Sequence, residues 1–274
     1  MRLALRLAAA ATAVAAVAAL AACSPSAGPS AEATQSTLDR VIQSKVLRVG
    51  LVADYPPYES KTASGDFEGY EADIARLLAE SLDAKVEFVE TTVENRVPSA
   101  QTGKVDVMFG SMAMTPARAQ VVAFTDPYVS NARVIVVRND STFKSKDDLN
   151  GARVGVQKGS LYDDILQQYW PEAEIAYFDS ATDYETALKN SQVDAFIADS
   201  NIATLQAAED PTFRVIKTDE LGPREFIGMG IPQGDQRWLN YLNYFIFNME
   251  VEGTNVEAFK TWFKGEPPYS ARLD

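Results

Sequence analysis

The stretch Val105-Asp106-Val107-Met108-Phe109-Gly110-Ser111-Met112-Ala113-Met114-Thr115-Pro116-Ala117-Arg118 runs from an apolar strand through a Gly-Ser turn into a helix start. Thr115 supplies an N-cap hydroxyl, and Pro116 suits the first helical position, where a missing N–H costs nothing. Arg118 then falls in the first turn, where the helix dipole disfavours a cation unless an anion shares the site. Its planar guanidinium suits a carboxylate, which it can hold through two parallel hydrogen bonds. A surface pair with Asp126 is the competing explanation.

The same passage recurs at Val156-Gln157-Lys158-Gly159-Ser160-Leu161-Tyr162. The free N–H groups of a helix start can hold an anion, although Ser160 as a plain N-cap accounts for the pattern too. Farther on, Asp194-Ala195-Phe196-Ile197-Ala198-Asp199 ends an apolar strand on a carboxylate. Ligands of α/β sheets bind beyond the carboxyl ends of strands, so Asp199 is a candidate acceptor for an ammonium group. Its alternative role is the N-cap of the following helix. Arg118 and Asp199 together would clamp a zwitterion. Tyr55 and Tyr58, on either side of Pro56-Pro57, offer a stiff aromatic wall beside that clamp.

Outward from these turns, strand and helix alternate. Leu47–Val52 is a short strand, Ile74, Leu77, Leu78 and Leu82 share a helical face, and Val86 and Phe88 alternate with charged residues. Val134–Val137 is a fully apolar strand, and strand–helix alternation restarts after Asn150-Gly151. A strand is expected over Phe226–Ile231, and helices over Trp238–Met249 and Asn255–Phe263, with Gly253 between them. The pattern predicts α/β architecture with parallel sheets, in two units separated near Ser130–Ala132.

The chain has 274 residues, 38 acidic against 25 basic, for a formal charge of -13. That sign is wrong for neutralising phosphate, so nucleic-acid binding is excluded. With no histidine and one cysteine, there is no Ser-His or Cys-His pair, no His-ligated zinc and no internal disulfide. No cofactor or metal is expected. Arg2 and Arg6 precede an Ala-rich apolar run, Leu7–Ala22, in the manner of an export signal. The ending Leu20-Ala21-Ala22-Cys23 resembles a bacterial lipobox, which would make Cys23 the acylated first residue of the mature chain. Residues 1–22 are thus read as signal peptide and 23–37 as a lipidated flexible tether, rich in Ser, Ala and Pro.

Several motifs, in order, resemble the polar amino-acid family of bacterial extracellular solute-binding proteins. They are Leu47-Arg48-Val49-Gly50-Leu51 with Asp54-Tyr55-Pro56-Pro57-Tyr58, Gly65 to Asp73, Asn95-Arg96-Val97-Pro98, Met114 to Arg118, and Phe124-Thr125-Asp126-Pro127-Tyr128. Gly159-Ser160, Val193-Asp194-Ala195, Asp199 and Trp262-Phe263 continue the series. The resemblance implies a two-lobed type II periplasmic-binding-protein fold, two doubly wound sheets joined by two crossover strands. Lobe 1 would comprise 38–132, lobe 2 would comprise 133–224, and 225–274 would return to lobe 1.

By the same resemblance Arg118 holds a ligand carboxylate, assisted by the N–H groups of Ala113 and Leu161. The Ser111 carbonyl and Asp199 take the ammonium, and Tyr55 covers the side chain. Gly110 and Ser160, from the two turns, complete the expected binding set. Val52, Val93, Gln157 and Tyr162 are candidates for the side-chain pocket. The sequence departs from the family at Ala113, where Ser or Thr is usual, at Val52, where many members carry an acid, and at Val93, where an aromatic is frequent.

The implied function is a receptor of an ABC importer that captures an amino acid or close analogue and presents it to the permease. It would be exported, monomeric and attached to the membrane only through its lipid. The same fold also serves cyclohexadienyl and arogenate dehydratases, the enzyme alternative, and the sensor domains of larger receptors.

Overall fold

A computed structural model describes residues 35–217, 221, 222 and 224–268. The expected signal peptide and Cys23 lie outside them. Ser36 and Thr37, counted with the tether from sequence, are fixed in place: the Ser36 hydroxyl and the Thr37 N–H donate to Asp235 at 2.8 and 2.6 Å. Helix α1 (Thr37–Ser44) follows and leads into β1 (Val46–Val52).

The next elements are β2 (Asp54–Tyr55), β3 (Glu59–Lys61), β4 (Phe67–Glu68), α2 (Tyr70–Ser81), β5 (Lys85–Thr91), α3 (Arg96–Gln101), β6 (Val107–Met108), α4 (Pro116–Ala119) and β7 (Ala123–Phe124). After them β8 (Val129–Asn131) runs almost directly into β9 (Arg133–Arg138). Then come β10 (Arg153–Gln157), α5 (Tyr162–Tyr169), β11 (Glu174–Phe178), α6 (Ala181–Lys189), β12 (Ala195–Asp199), α7 (Ser200–Glu209) and β13 (Phe213–Ile216). The chain closes with β14 (Glu225–Ile227), β15 (Gly230–Ile231), α8 (Gln236–Glu252) and α9 (Thr254–Phe263).

Two five-stranded sheets result, ordered β5-β1-β6-β15-β7 and β11-β10-β12-β9-β13. In each, the strands nearest the first βαβ unit are parallel and the rest antiparallel. The apolar run at 134–137 has a simple cause. Ile135 and Val137 enter the core on one side of the second sheet, while Val134 and Val136 enter the core on the other. A strand buried on both faces loses the alternation that marks a half-exposed one.

The passage between sheets is a two-stranded antiparallel ribbon. Strand β8 leaves the first sheet and β14 returns to it, with Val129 opposite Ile227, Ser130 opposite Phe226 and Asn131 opposite Glu225. The strand expected over Phe226–Ile231 is therefore two pieces, because its first half pairs in the ribbon and its second in the first sheet. The strand expected at Val105–Phe109 shortens to Val107–Met108. Asp106 turns aside there to accept from the Arg48 backbone and guanidinium at 2.6–3.1 Å. The closing helices bury Trp238, Phe245, Phe259 and Phe263 in the first-lobe core, while Tyr244 is exposed. Among the described residues no helix is long and apolar enough to cross a membrane.

Candidate functional site

The cleft between the sheets is built around two tight turns. In the first, Gly110 and Ser111 both adopt left-handed backbone, φ 75° and 46°. Such a conformation costs a non-glycine residue about 1–3 kcal/mol unless its surroundings impose it. Here they do. The Ser111 N–H donates to both carboxylate oxygens of Glu71 at 3.0 and 2.9 Å. From the other side, Arg96 donates to the Gly110 carbonyl, and to the carbonyls of Ser111 and Val93 at 3.1 Å each. A Cβ on Gly110 would lie 2.7 Å from the Arg96 Cδ, so this position has room only for glycine.

Glu71 stands in the first turn of α2, where the helix dipole favours a negative charge. Burial raises its pKa, and the bonds it accepts, from Glu59, Tyr128 and Ser111 among others, pull it back down. The neighbouring Glu59 is fully buried and its pKa is raised well above the ordinary range, first by burial and then by the charge of Glu71. The protonated form of Glu59 is therefore favoured, with Glu71 as the acceptor of its hydrogen bond, while the Val52 backbone pulls the other way. The Tyr128 hydroxyl donates to Glu71 at 2.5 Å. A hydrogen-bonded floor thus fixes the first turn from beneath.

Beyond that turn, Ala113 bridges to Ile227 and the Met114 N–H donates to the Phe226 carbonyl at 2.9 Å, so β14 runs against the loop. Thr115 caps α4 by accepting from the Arg118 N–H at 3.2 Å. The helix is a single turn, Pro116–Ala119, so it carries little dipole and the dipole argument for Arg118 does not hold. What orients Arg118 is its own pair of bonds. Nη1 donates to the Ala113 carbonyl at 2.9 Å, and Nη2 reaches across the cleft to the Gly159 carbonyl at 3.3 Å. Burial, followed by the like charge of Arg96, lowers its pKa to about 10. It remains a cation at neutral pH, poorly solvated and able to bind an anion.

On the second lobe the Ser160 N–H donates to the Gln157 carbonyl at 3.1 Å, closing the turn at Gly159. Ser160 is not the N-cap. Helix α5 begins one residue later than expected, with Leu161 at the cap position, and the Ser160 hydroxyl accepts from Tyr162 N–H at 3.4 Å. A Cβ on Gly159 would lie 2.6 Å from the Cα of Glu94 on the opposite lobe. The two walls approach most closely at this glycine.

Tyr55, Val93, Arg96, Ser111, Ala113 and Arg118 line one side of the cleft. Gln157, Ser160, Leu161, Tyr162 and Tyr184 line the other, and Asn131 and Glu225 of the ribbon close the end. Tyr55 is stacked on Tyr58, ring centroids 5.9 Å apart and 15° from parallel. Three expected residues do not line the cleft. Val52 is packed in the core at the end of β1. Gly110 turns its carbonyl to Arg96 behind the site.

Asp199 is the third, and it takes the N-cap role that the sequence reading set beside the ligand role. One oxygen caps α7 through the N–H groups of Asn201 and Ile202 at 2.6 and 3.4 Å. The other accepts from the Tyr58 hydroxyl at 2.9 Å. Burial raises its pKa to about 7. The N-cap role and a phenol from the other lobe therefore use both oxygens.

Four lining residues, Arg96, Asn131, Tyr184 and Glu225, were not singled out from sequence. Among the described residues the buried Asn131 side-chain oxygen meets no hydrogen-bond donor, and Glu225 accepts from Arg133 Nε at 2.6 Å. Among the described residues no group of three His, Cys, Asp or Glu could hold a metal ion.

Residues 47–265 match the bacterial extracellular solute-binding proteins, family 3. The chain is 27% identical over 220 residues to ABC transporter arginine-binding protein 1 of Escherichia coli K12, covering 79% of this chain and 90% of that one. It is 29% identical over 243 residues to the ABC transporter glutamine-binding protein GlnH of Bacillus subtilis 168, covering 87% and 88%. Among solved structures, an ancestral amino acid-binding protein, described as a precursor of cyclohexadienyl dehydratase, is 34% identical with a TM-score of 0.78. That match covers 83% of this chain and 100% of the other.

Proposed function

The chain belongs to the bacterial extracellular solute-binding proteins of family 3 and has their two-lobed type II fold, and from that premise we propose that it is the amino-acid receptor of an ABC importer. Its relatives include arginine- and glutamine-binding proteins of such transporters. The observation that carries the reading is Arg118, a poorly solvated guanidinium whose bonds go to a backbone carbonyl on each wall of the cleft. A ligand carboxylate entering there would exchange those neutral acceptors for a charged one and tie the lobes together. Closure by hinge bending at the β8/β14 ribbon would then trap the ligand for delivery to the permease.

In this reading lobe 1 spans 38–132 with 225–274, and lobe 2 spans 133–224. Cys23 carries the lipid anchor, and the exported protein works as a monomer without cofactor. We take it to be a receptor rather than a dehydratase. A second carboxylate would need a second available cation, and Arg96 already serves the carbonyls of Val93, Gly110 and Ser111.

A thermal-shift screen of residues 24–274, refolded to strip any carried ligand, tests this against the standard L-amino acids, prephenate and arogenate. Ligand at a hundred times its dissociation constant should stabilise the protein by about 2.7 kcal/mol. A shift with an amino acid supports the receptor, whereas a shift with prephenate or arogenate alone contradicts it.

A further inference from the structure

We propose that Asp54 and Thr182 form a latch between the lobes, outside the ligand cavity, that holds them shut and slows escape of whatever is captured. The inference rests on the receptor reading and adds a control on closure by residues that do not line the site.

Asp54 stands just past β1, in the small β2-β3-β4 sheet, where it pairs with Ser60 of β3. The Ala53 carbonyl beside it accepts from the Lys61 N–H at 3.2 Å, so this backbone is held within the first lobe. Thr182, on the second lobe, is the second residue of α6. One Asp54 oxygen accepts from the Thr182 hydroxyl at 2.9 Å and the other from its N–H at 3.4 Å. That N–H is a free donor of a helix start, where the dipole favours a negative charge. Helix α6 does not need this partner to form. Ser180 already caps it by accepting from the Asp183 N–H at 3.2 Å. A carboxylate brought from the other lobe to a capped helix serves the contact between lobes.

Neither Asp54 nor Thr182 lines the cleft, although Tyr55 and Tyr184, one and two residues further on, both do. Other hydrogen bonds between the lobes are differently placed. Those of Tyr58 and Asn201 gather at the ribbon, close to the bending axis, where Asn201 also donates to the Ser130 carbonyl. The Arg118 bond to Gly159 is given up when a ligand carboxylate arrives. The Asp54 bonds are remote from the ribbon, since α6 follows β11, the edge strand three places from β9. They break on opening and stay intact with ligand inside. Glu185 on α6 repels Asp54, which keeps the latch weak enough to release. Apparent affinity scales with the population of the binding-competent form, so losing the latch weakens capture without removing a ligand contact.

The test uses residues 24–274, which hold every described element and no cysteine. Spin labels placed by Glu87→Cys and Glu172→Cys, both exposed, then report the distance between lobes. Stopped-flow binding and calorimetry use the twenty standard L-amino acids as probes, with Asp54→Ala, Asp54→Asn, Thr182→Val and the double variant Asp54→Ala/Thr182→Val beside the wild type.

For the amino acid that binds, Asp54→Ala should lower affinity about fivefold, entirely through faster release. Its association rate and the unfolding temperature of the free protein should not change. Thr182→Val should cost about threefold, and the double variant should match Asp54→Ala within about twofold. Asp54→Asn keeps an oxygen for the hydroxyl and should recover part of the loss. In the ligand-free wild type the labels should show a short-distance population that shrinks in Asp54→Ala. Unaltered release from Asp54→Ala overturns the latch while the receptor reading stands. So do losses that add in the double variant, because the two residues would then act apart. Silence of the wild type toward every amino acid overturns the receptor reading, and equal label distances in wild type and Asp54→Ala would then overturn the latch as well.

Discussion

The turn at Gly110-Ser111 is fixed from three directions, by Glu71 beneath, Arg96 behind and the ribbon bridge at Ala113. Its counterpart at Gly159-Ser160 is tied to its own lobe by the Lys158 N–H and the Gln157 amide, which donate to the Phe178 and Asp179 carbonyls at 3.0 and 3.2 Å, and its glycine carbonyl accepts from Arg118. The first turn holds a serine in left-handed backbone against charged side chains, whereas the second puts only a glycine there and is held mainly through backbone carbonyls. A binding site split in this way keeps one half ready, so the ordering cost at capture is confined to the other. Arg118 belongs to the prepared half and meets the second lobe through Gly159.

The largest effect expected from this asymmetry follows loss of Arg118. Arg118→Ala should weaken amino-acid binding by about 2–5 kcal/mol, read by calorimetry, with thermal unfolding of the free protein little changed. Near-normal affinity would show that the carboxylate sits elsewhere. Next comes the floor of the first turn. Glu71→Gln removes the charge that Ser111 N–H and the Tyr128 hydroxyl address, and should cost about 1–3 kcal/mol in urea unfolding with a parallel loss of affinity. Unchanged stability would mean that Ser111 keeps its left-handed backbone unaided.

Gly159→Ala tests the lighter turn where it faces the other lobe. It must hold alanine at φ 75° and place a Cβ 2.6 Å from the Glu94 Cα. The backbone term alone is about 1–2 kcal/mol. Because the clash exists only with the lobes together, affinity should fall more than the stability of either lobe. Ser160→Ala, which removes one long hydrogen bond, should change affinity and stability by less than about 0.5 kcal/mol.

The same contrast has a pH signature. The Asp199 pKa rises on folding from 3.8 to about 7, so its protonated form is favoured in the folded state. Its contribution is fully present below the unfolded pKa and is lost as pH rises toward 7. Stability of the free protein should therefore fall over that window, and Asp199→Asn should flatten the fall. Thermal unfolding followed from pH 4 to pH 7.5 reads it directly, and an unaltered slope in the variant would remove Asp199 as the source.

Much of the fold was legible because burial leaves a period. The run at 134–137 and the helical face at Ile74, Leu78 and Leu82 declare how they pack through spacing alone, whereas of the aromatics read as a packing face in the closing helices Trp238, Phe245 and Phe263 are buried and Tyr244 is 64% exposed. The turns were legible as well, since glycine beside serine after an apolar run has few uses. What spacing cannot show is which distant group competes for a side chain. Asp199 looks free until Tyr58, 141 residues away in sequence, delivers a hydroxyl to it.

Glu225 and Asn131 are hidden for a related reason. Each lies on a three-residue strand, too short for a period to reveal its inward face. Only the pairing of β8 with β14 brings them together. The one available sign was an acid next to the apolar Phe226-Ile227, where a returning strand enters the core. Arg118 was found for a partly wrong reason, since α4 is a single turn, yet its guanidinium does face the cleft.

Native-state hydrogen exchange at the two turns tests the central claim most directly, with and without the amino acid that gives the largest thermal shift. The Ser111 amide, bound to Glu71, should be protected to a similar extent in both states. The amides of Ser160, Leu161 and Tyr162 should exchange quickly in the free protein and slow severalfold on binding. A Ser111 amide that exchanges freely without ligand, or equal slowing at both turns, would contradict a site with one prepared half.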